Sequence, residues 1–304
     1  MIVRHLEYLA TLTREQHFGR AAAACHVSQP TLSAGIRRLE EELGFPIVRR
    51  SRRYEGLTPE GERVLEWALR ILSDVNGMHA EVEAMQGGLS GRLRIGAIPT
   101  SLSSVSLLTT PLCGRHPGIT VSVQSLNSRQ IERGLHAFEL ELGLTYLDSE
   151  PLTGVRALPL YAERYMLLTP ADGPFAGQAT VRWADAAHAP LCLLTDDMQN
   201  RRIVNGIFHE AGAAPRPTIE TNSISTLYAH VRDGGWSSVI AHAWLHLFDV
   251  PDELRAIPLV DPVETRSIGL VVLDRDPEPL LARALLEIAS TLDLESRLDL
   301  APSL

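Results

Sequence analysis

The first 58 residues place apolar side chains at the spacing of short helices. The third of these predicted helices has Ser28 as an N-cap, Pro30 in its first turn and Gly44 as a C-cap. Its buried face is an apolar stripe with helical spacing: Leu32, Ile36, Leu39 and Leu43. The pattern predicts an all-α N-terminal part whose third helix presents its first turn outward.

A heptad pattern follows over about residues 59–91. Its apolar positions are separated alternately by four and three residues: Val64, Ala68, Ile71, Val75, Met78, Val82 and Met85. This 3.5-residue period is typical of a coiled-coil pair, although a buried amphipathic helix also shows an apolar stripe. We favour the coiled coil because the stripe is narrow and the other positions are largely polar or small. The segment is predicted to be a dimerisation helix that ends in a glycine-rich hinge.

Residues 92–304 alternate between short apolar runs and helical stretches. This alternation predicts an α/β fold with parallel strands and crossover helices, in which ligands bind beyond the carboxyl ends of the strands. No G-x-S-x-G elbow or nucleophile–base pair is visible, so we expect no catalytic residues and no cofactor. The i, i+4 spacing of His242 and His246 is too little for a metal site. Two alternatives stay open for this part of the chain: an α/β enzyme with an attached regulatory N-terminal domain, and a module that binds another protein.

Composition narrows the possible functions. The 304 residues include no lysine, which excludes a Walker-type phosphate loop and a pyridoxal Schiff base. No apolar run approaches a membrane span or a signal peptide, and the cysteines are only Cys25, Cys113 and Cys192. We therefore expect a cytoplasmic protein with no membrane partner. The net charge is −9, yet residues 1–63 contain ten arginines against eight acidic residues, which gives this part a local positive excess.

Residues 26–63 contain two features that favour nucleic-acid binding. The first turn of the third helix offers Gln29, Thr31 and Ser33, whose side chains can bond base edges or phosphates. The basic run "RRSRR" at residues 49–53 is suited to the tip of a hairpin wing that contacts the DNA backbone. A surface helix and a solvated charge run are the alternative interpretations.

The segment "FGRAAAACHVSQPTLSAGIRRLEEELGFPIVRRSRRYEGLTPEGERVL" resembles the N-terminal domain of LysR-type transcriptional regulators. The resemblance implies a winged helix-turn-helix domain over residues 1–58, a linker helix and hinge over 59–91, and an effector-binding domain over 92–304. That domain would contain two Rossmann-like α/β subdomains similar to a periplasmic binding protein, about 92–162 with 266–304, and about 163–265. The implied partners are promoter DNA, a small effector such as an organic acid, a second copy through the linker helix, a homotetramer and RNA polymerase.

The resemblance also assigns site residues by position. The expected DNA-binding residues are Ser28, Gln29, Pro30, Thr31, Ser33, Arg37, Arg50, Arg52 and Arg53. Many relatives have Arg or Gln where this chain has Ala34 and Gly35, so we expect a narrower base readout by this helix.

The effector-binding set is also assigned from the resemblance. Its expected members are Pro99, Thr100, Ser101, Ser128, Thr145, Thr195, Asn222, Ser223 and His242. Helix capping is the alternative role for the hydroxyls at residues 99–101. Peroxide-sensing relatives use a closely spaced cysteine pair, whereas Cys113 and Cys192 are 79 positions apart, so we do not expect that mechanism here.

Overall fold

The computed structural model describes residues 2–50, 54–150, 152–248 and 250–299, without the side chains of Arg50 and Gln86. The chain divides into two compact units, Met1–Gly88 and Leu89–Leu304. The predicted linker helix therefore belongs to the first unit, which we call the N-terminal unit. The second, the C-terminal unit, has its own apolar clusters, and none of their residues comes from the N-terminal unit.

The N-terminal unit consists of four helices and a two-stranded hairpin. Its elements are α1 (Val3–Glu15), α2 (Phe18–Ala24), α3 (Gln29–Leu43), β1 (Val48–Arg50), β2 (Tyr54–Leu57) and α4 (Pro59–Gly87). The predicted caps of α3 are confirmed. The Ser28 hydroxyl accepts a hydrogen bond from the Thr31 amide at 3.3 Å, and Gly44 adopts the left-handed conformation with φ 81°.

Two side chains fix the hairpin to the helices around it. Glu40 of α3 accepts hydrogen bonds from the amides of Ile47 and Val48, at 3.0 and 3.1 Å. Thr58 caps α4 by accepting from the Gly61 amide at 2.9 Å, and its hydroxyl donates to the Pro46 carbonyl at 2.8 Å. The base of the hairpin is therefore held rigidly beside α3.

Helix α4 has two different halves. Ala68 is fully buried in the core of the N-terminal unit, and Val64 and Ile71 pack against the same core. Farther along the same heptad stripe, Met78 and Met85 are 56% and 83% exposed. The first half of the stripe is therefore satisfied within one chain, while the second half leaves apolar side chains in solvent.

The C-terminal unit alternates helices and strands, as its sequence pattern predicts. Its strands are β3 (Ser90–Ala97), β4 (Gly118–Ser125), β5 (Leu142–Tyr146), β6 (Val155–Pro170), β7 (Val181–Arg182), β8 (Cys192–Leu194), β9 (Ile219–Thr221), β10 (Ser238–Ala241), β11 (Leu254–Val260) and β12 (Thr265–Leu273). Its helices are α5 (Leu102–Arg115), α6 (Ser128–His136), α7 (Trp183–Ala186), α8 (Gln199–Glu210), α9 (Ile224–Gly234), α10 (Leu280–Thr291) and α11 (Leu294–Asp299), with 3₁₀ turns at Pro99–Ser101 and His242–His246.

The main sheet has the strand order β4-β3-β5-β12-β6-β11-β7, and β10 also pairs with β6. Strand β3 is parallel to β4 and β5, but β12 is antiparallel to β5 and β6, and β10 and β11 are antiparallel to β6. The predicted parallel strands occur at β3–β5, at β7 with β11 and in the separate pair β8–β9. The main sheet is mixed, because β6 and β12 run against their neighbours.

Strand β6 belongs to two groups of strands. Its residues Val155–Arg164 pair with β12, and Tyr165–Pro170 pair with β10 and β11. We call β3, β4, β5, β12 and the first half of β6 the first lobe, together with α5, α6 and the turn Pro99–Ser101. The second lobe consists of β7–β11 and the second half of β6, together with α7, α8, α9 and the turn His242–His246. The subdomain boundaries at residues 162 and 266 stay a prediction.

Close packing at the pair β6–β12 requires a glycine. Gly269 lies opposite Pro159, where the register of the two strands shifts. A Cβ atom at Gly269 would lie 2.4 Å from the Leu158 carbonyl oxygen, so a larger residue does not fit. Proline lacks an amide donor and is tolerated inside a sheet mainly at such irregular positions.

Helix α11 lies where the lobes meet. Glu295 accepts a hydrogen bond from the Ala162 amide at 2.7 Å, and Asp299 forms an ion pair with Arg164. The last described helix therefore contacts β6 next to the point where that strand changes partner.

Candidate functional site

The first turn of α3 presents polar side chains to solvent. Gln29, Pro30, Thr31 and Arg37 are exposed, and Ser33 is half-buried. The Ser28 and Thr31 hydroxyls are 2.8 Å apart and bond each other, so part of their capacity is used inside the turn. Gln29 and Arg37 present side chains that reach farther from the helix. All six predicted residues of this helix face are thus close together, and their contact with DNA stays a prediction.

The predicted wing has the form of an antiparallel hairpin. Val48 lies opposite Leu57, and Arg50 lies opposite Tyr54. The Arg50 side chain and all of Arg52 and Arg53 lie outside the described residues, so their predicted contacts with DNA are not addressed by the structure. Arg49 is exposed on β1.

Gly35 corrects one sequence-based expectation. It is buried, and a Cβ atom at this position would lie 2.6 Å from Cδ2 of Tyr8 and 3.1 Å from Cδ2 of His5. The missing side chain therefore allows α1 to cross closely over α3, and it does not leave a gap on the DNA-facing side. Only Ala34 is exposed where a longer side chain would extend outward.

A cavity of about 630 Å³ lies between the two lobes of the C-terminal unit. The first lobe lines it with the start of α5, the end of β4 and the start of α6, and the second lobe with the starts of α8 and α9 and the turn after β10. Three predicted effector residues line it, namely Pro99, Asn222 and Ser223. This volume is in the range that holds a small organic molecule, which is roughly 300–1,000 Å³. We call it the inter-lobe cavity.

A buried polar cluster lies beside this cavity. The Tyr146 hydroxyl donates to Glu163 at 2.5 Å, and it accepts from the Asn200 amide group at 2.9 Å. Thr100 lies 3.3 Å from the same hydroxyl, and the Trp244 indole donates to the Thr100 carbonyl at 3.2 Å. Because Tyr146 and Thr100 belong to the first lobe while Asn200 and Trp244 belong to the second, the cluster joins the lobes.

Burial changes the ionisation of this cluster. Glu163 is fully buried, and the loss of solvent raises the pKa of its carboxyl to about 7, although the hydrogen bond from Tyr146 opposes this rise. Burial, with the nearby Glu163 charge, raises the pKa of the Tyr146 hydroxyl well above its usual range. Tyr146 is therefore a neutral hydrogen-bond donor to Glu163.

The remaining hydroxyls of the predicted effector set are buried. Ser101 donates to the Ile98 carbonyl at 3.1 Å, which is a local turn contact. Among the described atoms, the hydroxyls of Ser128, Thr145 and Thr195 are buried without a hydrogen-bond partner. They do not line the inter-lobe cavity, so the structure does not bring the whole predicted set together around one space.

The contacts of His242 give it a structural role. Its Nδ1 accepts a hydrogen bond from the Arg164 amide at 3.0 Å, and its ring packs edge-on against Tyr161. Burial, and then the Arg164 charge, lowers the pKa of the His242 imidazole to about 4. The ring is neutral near pH 7 and supports β6. His242 and His246 share one 3₁₀ turn, and no group of three metal-ligating side chains occurs within the described ranges.

Sequence reasoning missed several residues of the cavity. Leu102, Ser103, Gln130, Met198 and Trp244 all line it. Ser103 follows the predicted segment 99–101 by two residues, and Gln130 follows the first residue of α6 by two residues, so their position after a strand end was a usable signal. The sequence has no such signal for Trp244, since its approach to the cavity depends on how the second lobe folds.

The three cysteines form no disulfide bond. All three are free: Cys25 and Cys192 are buried and Cys113 is half-buried. Burial raises the pKa of the Cys192 thiol to about 11. Since the thiolate is the reactive form, Cys192 is unreactive near neutral pH.

Comparison with known proteins connects both units to one family. Residues 3–62 match the family model described as "Bacterial regulatory helix-turn-helix protein, lysR family", and residues 86–292 match the "LysR substrate binding domain". No helix among the described residues is both long and apolar enough to cross a bilayer.

Individual relatives agree with the family models. The "DNA-binding transcriptional dual regulator OxyR" of Escherichia coli (strain K12) is 32% identical over 285 residues, covering 93% of this chain and 92% of that protein. A "Probable hydrogen peroxide-inducible genes activator" of Streptomyces viridosporus is 32% identical, with coverages of 88% and 86%. The structure of a full-length OxyR variant from Pseudomonas aeruginosa matches with a TM-score of 0.79 at 28% identity, covering 97% of each chain. The chain therefore belongs to the LysR family of DNA-binding transcriptional regulators, and it is a regulator and not an enzyme.

Proposed function

We propose that this regulator binds operator DNA through α3 and the hairpin wing, and changes promoter activity when a small molecule occupies the inter-lobe cavity. The observation that supports an effector role is the cavity itself. It has contributions from both lobes, and the Thr100–Tyr146–Asn200 contacts join the lobes beside it. A ligand that contacts both lobes therefore has a physical means of shifting their relative position.

The proposal for DNA binding uses the exposed first turn of α3. Gln29 can form paired hydrogen bonds with adenine in the major groove, and Arg37 can bind guanine or phosphate. The wing arginines Arg50, Arg52 and Arg53 are proposed to contact the DNA backbone, where each neutralised phosphate adds salt dependence. We further propose a cytoplasmic dimer formed through α4, which assembles into a tetramer and contacts RNA polymerase at the promoter.

Thiol oxidation is not the proposed signal. The relative from Streptomyces viridosporus is named for hydrogen peroxide, and a peroxide sensor acts through a reactive thiolate. Cys192 is buried with a raised thiol pKa, and Cys25 is buried in the other unit. A non-covalent effector in the inter-lobe cavity fits these residues better.

A ligand screen tests the proposed effector role. The full chain is screened against a panel of small metabolites by thermal shift, with Ser103→Trp as a variant that fills the cavity. Ligands are expected to stabilise the wild-type chain, to lose this effect in the variant, and to change the affinity for its own promoter region in fluorescence anisotropy. Ligands that bind the cavity without changing DNA affinity, or a panel without any ligand, would contradict the proposal. A DNA response to hydrogen peroxide that is lost in a triple Cys→Ser variant would favour thiol sensing.

A further inference from the structure

The inter-lobe cavity has a mixed lining with a continuous set of apolar side chains among polar ones. Its apolar lining includes Leu102, Leu126, Met198, Trp244 and Phe248. Trp244 is almost completely buried. Its indole nitrogen donates to the Thr100 carbonyl, which fixes the ring as part of the wall. A wall of this kind favours a ligand with an aromatic or otherwise apolar body.

The described lining of the inter-lobe cavity contains a negative charge and no positive one. Among its described lining residues, Asp197 is the only one with an ionisable side chain, and no Arg or His lines the space. Arg201 is committed elsewhere, to the Leu194 carbonyl at 2.5 Å and to Glu220 at 2.7 Å. Arg202 bonds Glu150 at 2.6 Å and the Asp197 carbonyl at 2.9 Å. The nearest arginines in sequence therefore do not offer a free cation to a ligand.

The helix N-termini around the cavity do not replace such a cation. At α6, Asn127 accepts from the Gln130 amide at 2.9 Å, and at α9 Ser223 accepts from the Thr226 amide at 3.3 Å. Helix α8 has Met198 as its N-cap and follows Asp196 and Asp197, whose carboxylates offset the positive end of its dipole. An anionic ligand would therefore meet capped amides at α6 and α9 and a carboxylate at α8, whereas the start of α5 has no side-chain cap.

One buried hydroxyl points to a ligand with hydrogen-bonding capacity. Ser103 is 6% exposed, its hydroxyl has no partner among the described atoms, and the residue lines the cavity. An unpaired buried hydroxyl is costly, so a bound molecule that reaches it gains stabilisation. The cavity therefore offers this hydroxyl on the first lobe and the Asp197 carboxylate on the second, beside neutral polar side chains such as Gln130 and Asn222.

We propose that the inter-lobe cavity binds an organic cation, an ammonium group on an aromatic body, with the ammonium at Asp197 and the ring among Met198, Trp244 and Phe248. This inference rests on the proposed function and gives its effector a chemical class. It replaces the organic acid expected from the sequence, because a carboxylate would lie beside Asp197 with no arginine to pair with. A cation near Asp197 with its ring near Ser103 would contact both lobes.

Three indole compounds test the sign of the preferred charge. Tryptamine, tryptophol and indole-3-acetate share the ring and differ in an ammonium, hydroxyl or carboxylate group. Binding to the full chain is measured by isothermal titration calorimetry. We expect tryptamine to bind about 5-fold more tightly than tryptophol, as an exposed ion pair permits, and indole-3-acetate to bind weakest. Equal or tighter binding of indole-3-acetate, or no binding of any probe at millimolar concentration, overturns the proposal.

A pair of adjacent variants locates the effect. Asp197→Asn is expected to abolish the preference for tryptamine over tryptophol, and Asp197→Lys is expected to favour indole-3-acetate. Asp196→Asn is the matched control, because Asp196 does not line the cavity and its carboxylate bonds Asn205. Loss of the preference in Asp196→Asn, or its persistence in Asp197→Asn, contradicts the assignment.

DNA binding separates this inference from the proposed function. Anisotropy with promoter DNA is measured with and without tryptamine. If tryptamine binds with the expected charge preference but leaves DNA affinity unchanged, the ligand class stands and the effector role fails. If indole-3-acetate alone changes DNA affinity, the effector role stands and the proposed ligand class fails.

Discussion

Gly35 determines how closely α1 and α3 approach each other. Its missing side chain accommodates the Tyr8 ring, which lies 2.6 Å from the place of a Cβ atom. We expect Gly35→Ala to destabilise the N-terminal unit by about 1–3 kcal/mol, because the added methyl group overpacks this contact. Thermal or urea denaturation of the full chain measures the effect.

Gly77 supplies the control for Gly35. It lies inside α4, and nothing lies within 4 Å of a Cβ atom placed on it. Gly77→Ala should stabilise the helix by about 0.5–1 kcal/mol through its lower conformational entropy. Equal effects of the two substitutions would show that helix propensity, and not packing against Tyr8, determines the outcome.

Gln29 is the side chain for which we expect the largest role in base recognition. It is exposed at the start of α3, whereas Ser28 and Thr31 bond each other. Gln29→Ala should weaken binding to the specific operator by about 1–3 kcal/mol, as for the loss of a paired base contact. Binding to random DNA should change little, and anisotropy on both duplexes measures the difference. An equal loss of affinity for specific and random DNA would contradict the assignment of Gln29 to base recognition.

Only part of the apolar stripe of α4 is buried within the N-terminal unit. Val75 lies between the buried Ala68 and the exposed Met78 and Met85. We expect Val75→Glu to dissociate the self-associated chain, because a charge in an apolar seam is costly when buried. Sedimentation velocity measures the change in mass.

Ser73 provides the matched control for Val75. Two residues correspond to about 200° around a helix, so Ser73 faces away from the seam. Ser73→Glu adds the same charge and should sediment as the wild-type chain. A Val75→Glu variant with unchanged mass would refute the seam.

Elements with a local signal were predictable from the sequence. The caps of α3 and the extent of α4 depend on Ser28, Gly44 and the heptad spacing, which are local. The first half of β6 has no such local signal, because Pro159 argues against a strand and its place opposite Gly269 is set by tertiary packing. Likewise, Thr100 was assigned from the family resemblance, but Trp244 reaches the cavity only through the folding of the second lobe.

At the scale of the whole molecule, Glu163 couples stability to pH. Burial raises the pKa of its carboxyl from 4.5 to about 7, so the folded chain holds a proton that the unfolded chain has released. This contribution to stability is complete below about pH 4.5 and is lost as the pH rises through 7. Its full size is roughly 3 kcal/mol for a shift of this magnitude.

Denaturation at pH 5 and pH 8 measures this coupling. Glu163→Gln resembles the protonated form and should lose less stability than the wild-type chain between these two values. Glu253→Gln, at an exposed glutamate of the second lobe, serves as the control and should follow the wild type. A wild-type chain that gains stability relative to Glu163→Gln as the pH rises would contradict the prediction.

Strand β6 connects the two lobes of the C-terminal unit as one continuous strand. Its backbone is bonded to β12 over one half and to β10 and β11 over the other, without a break between Arg164 and Tyr165. A strand held in this way resists kinking, whereas the twist between neighbouring strands varies by roughly 10–35°. On the proposed function, a ligand that draws the lobes together would therefore rotate them about the axis of this strand. The range of that rotation would be limited by how far the strand can twist.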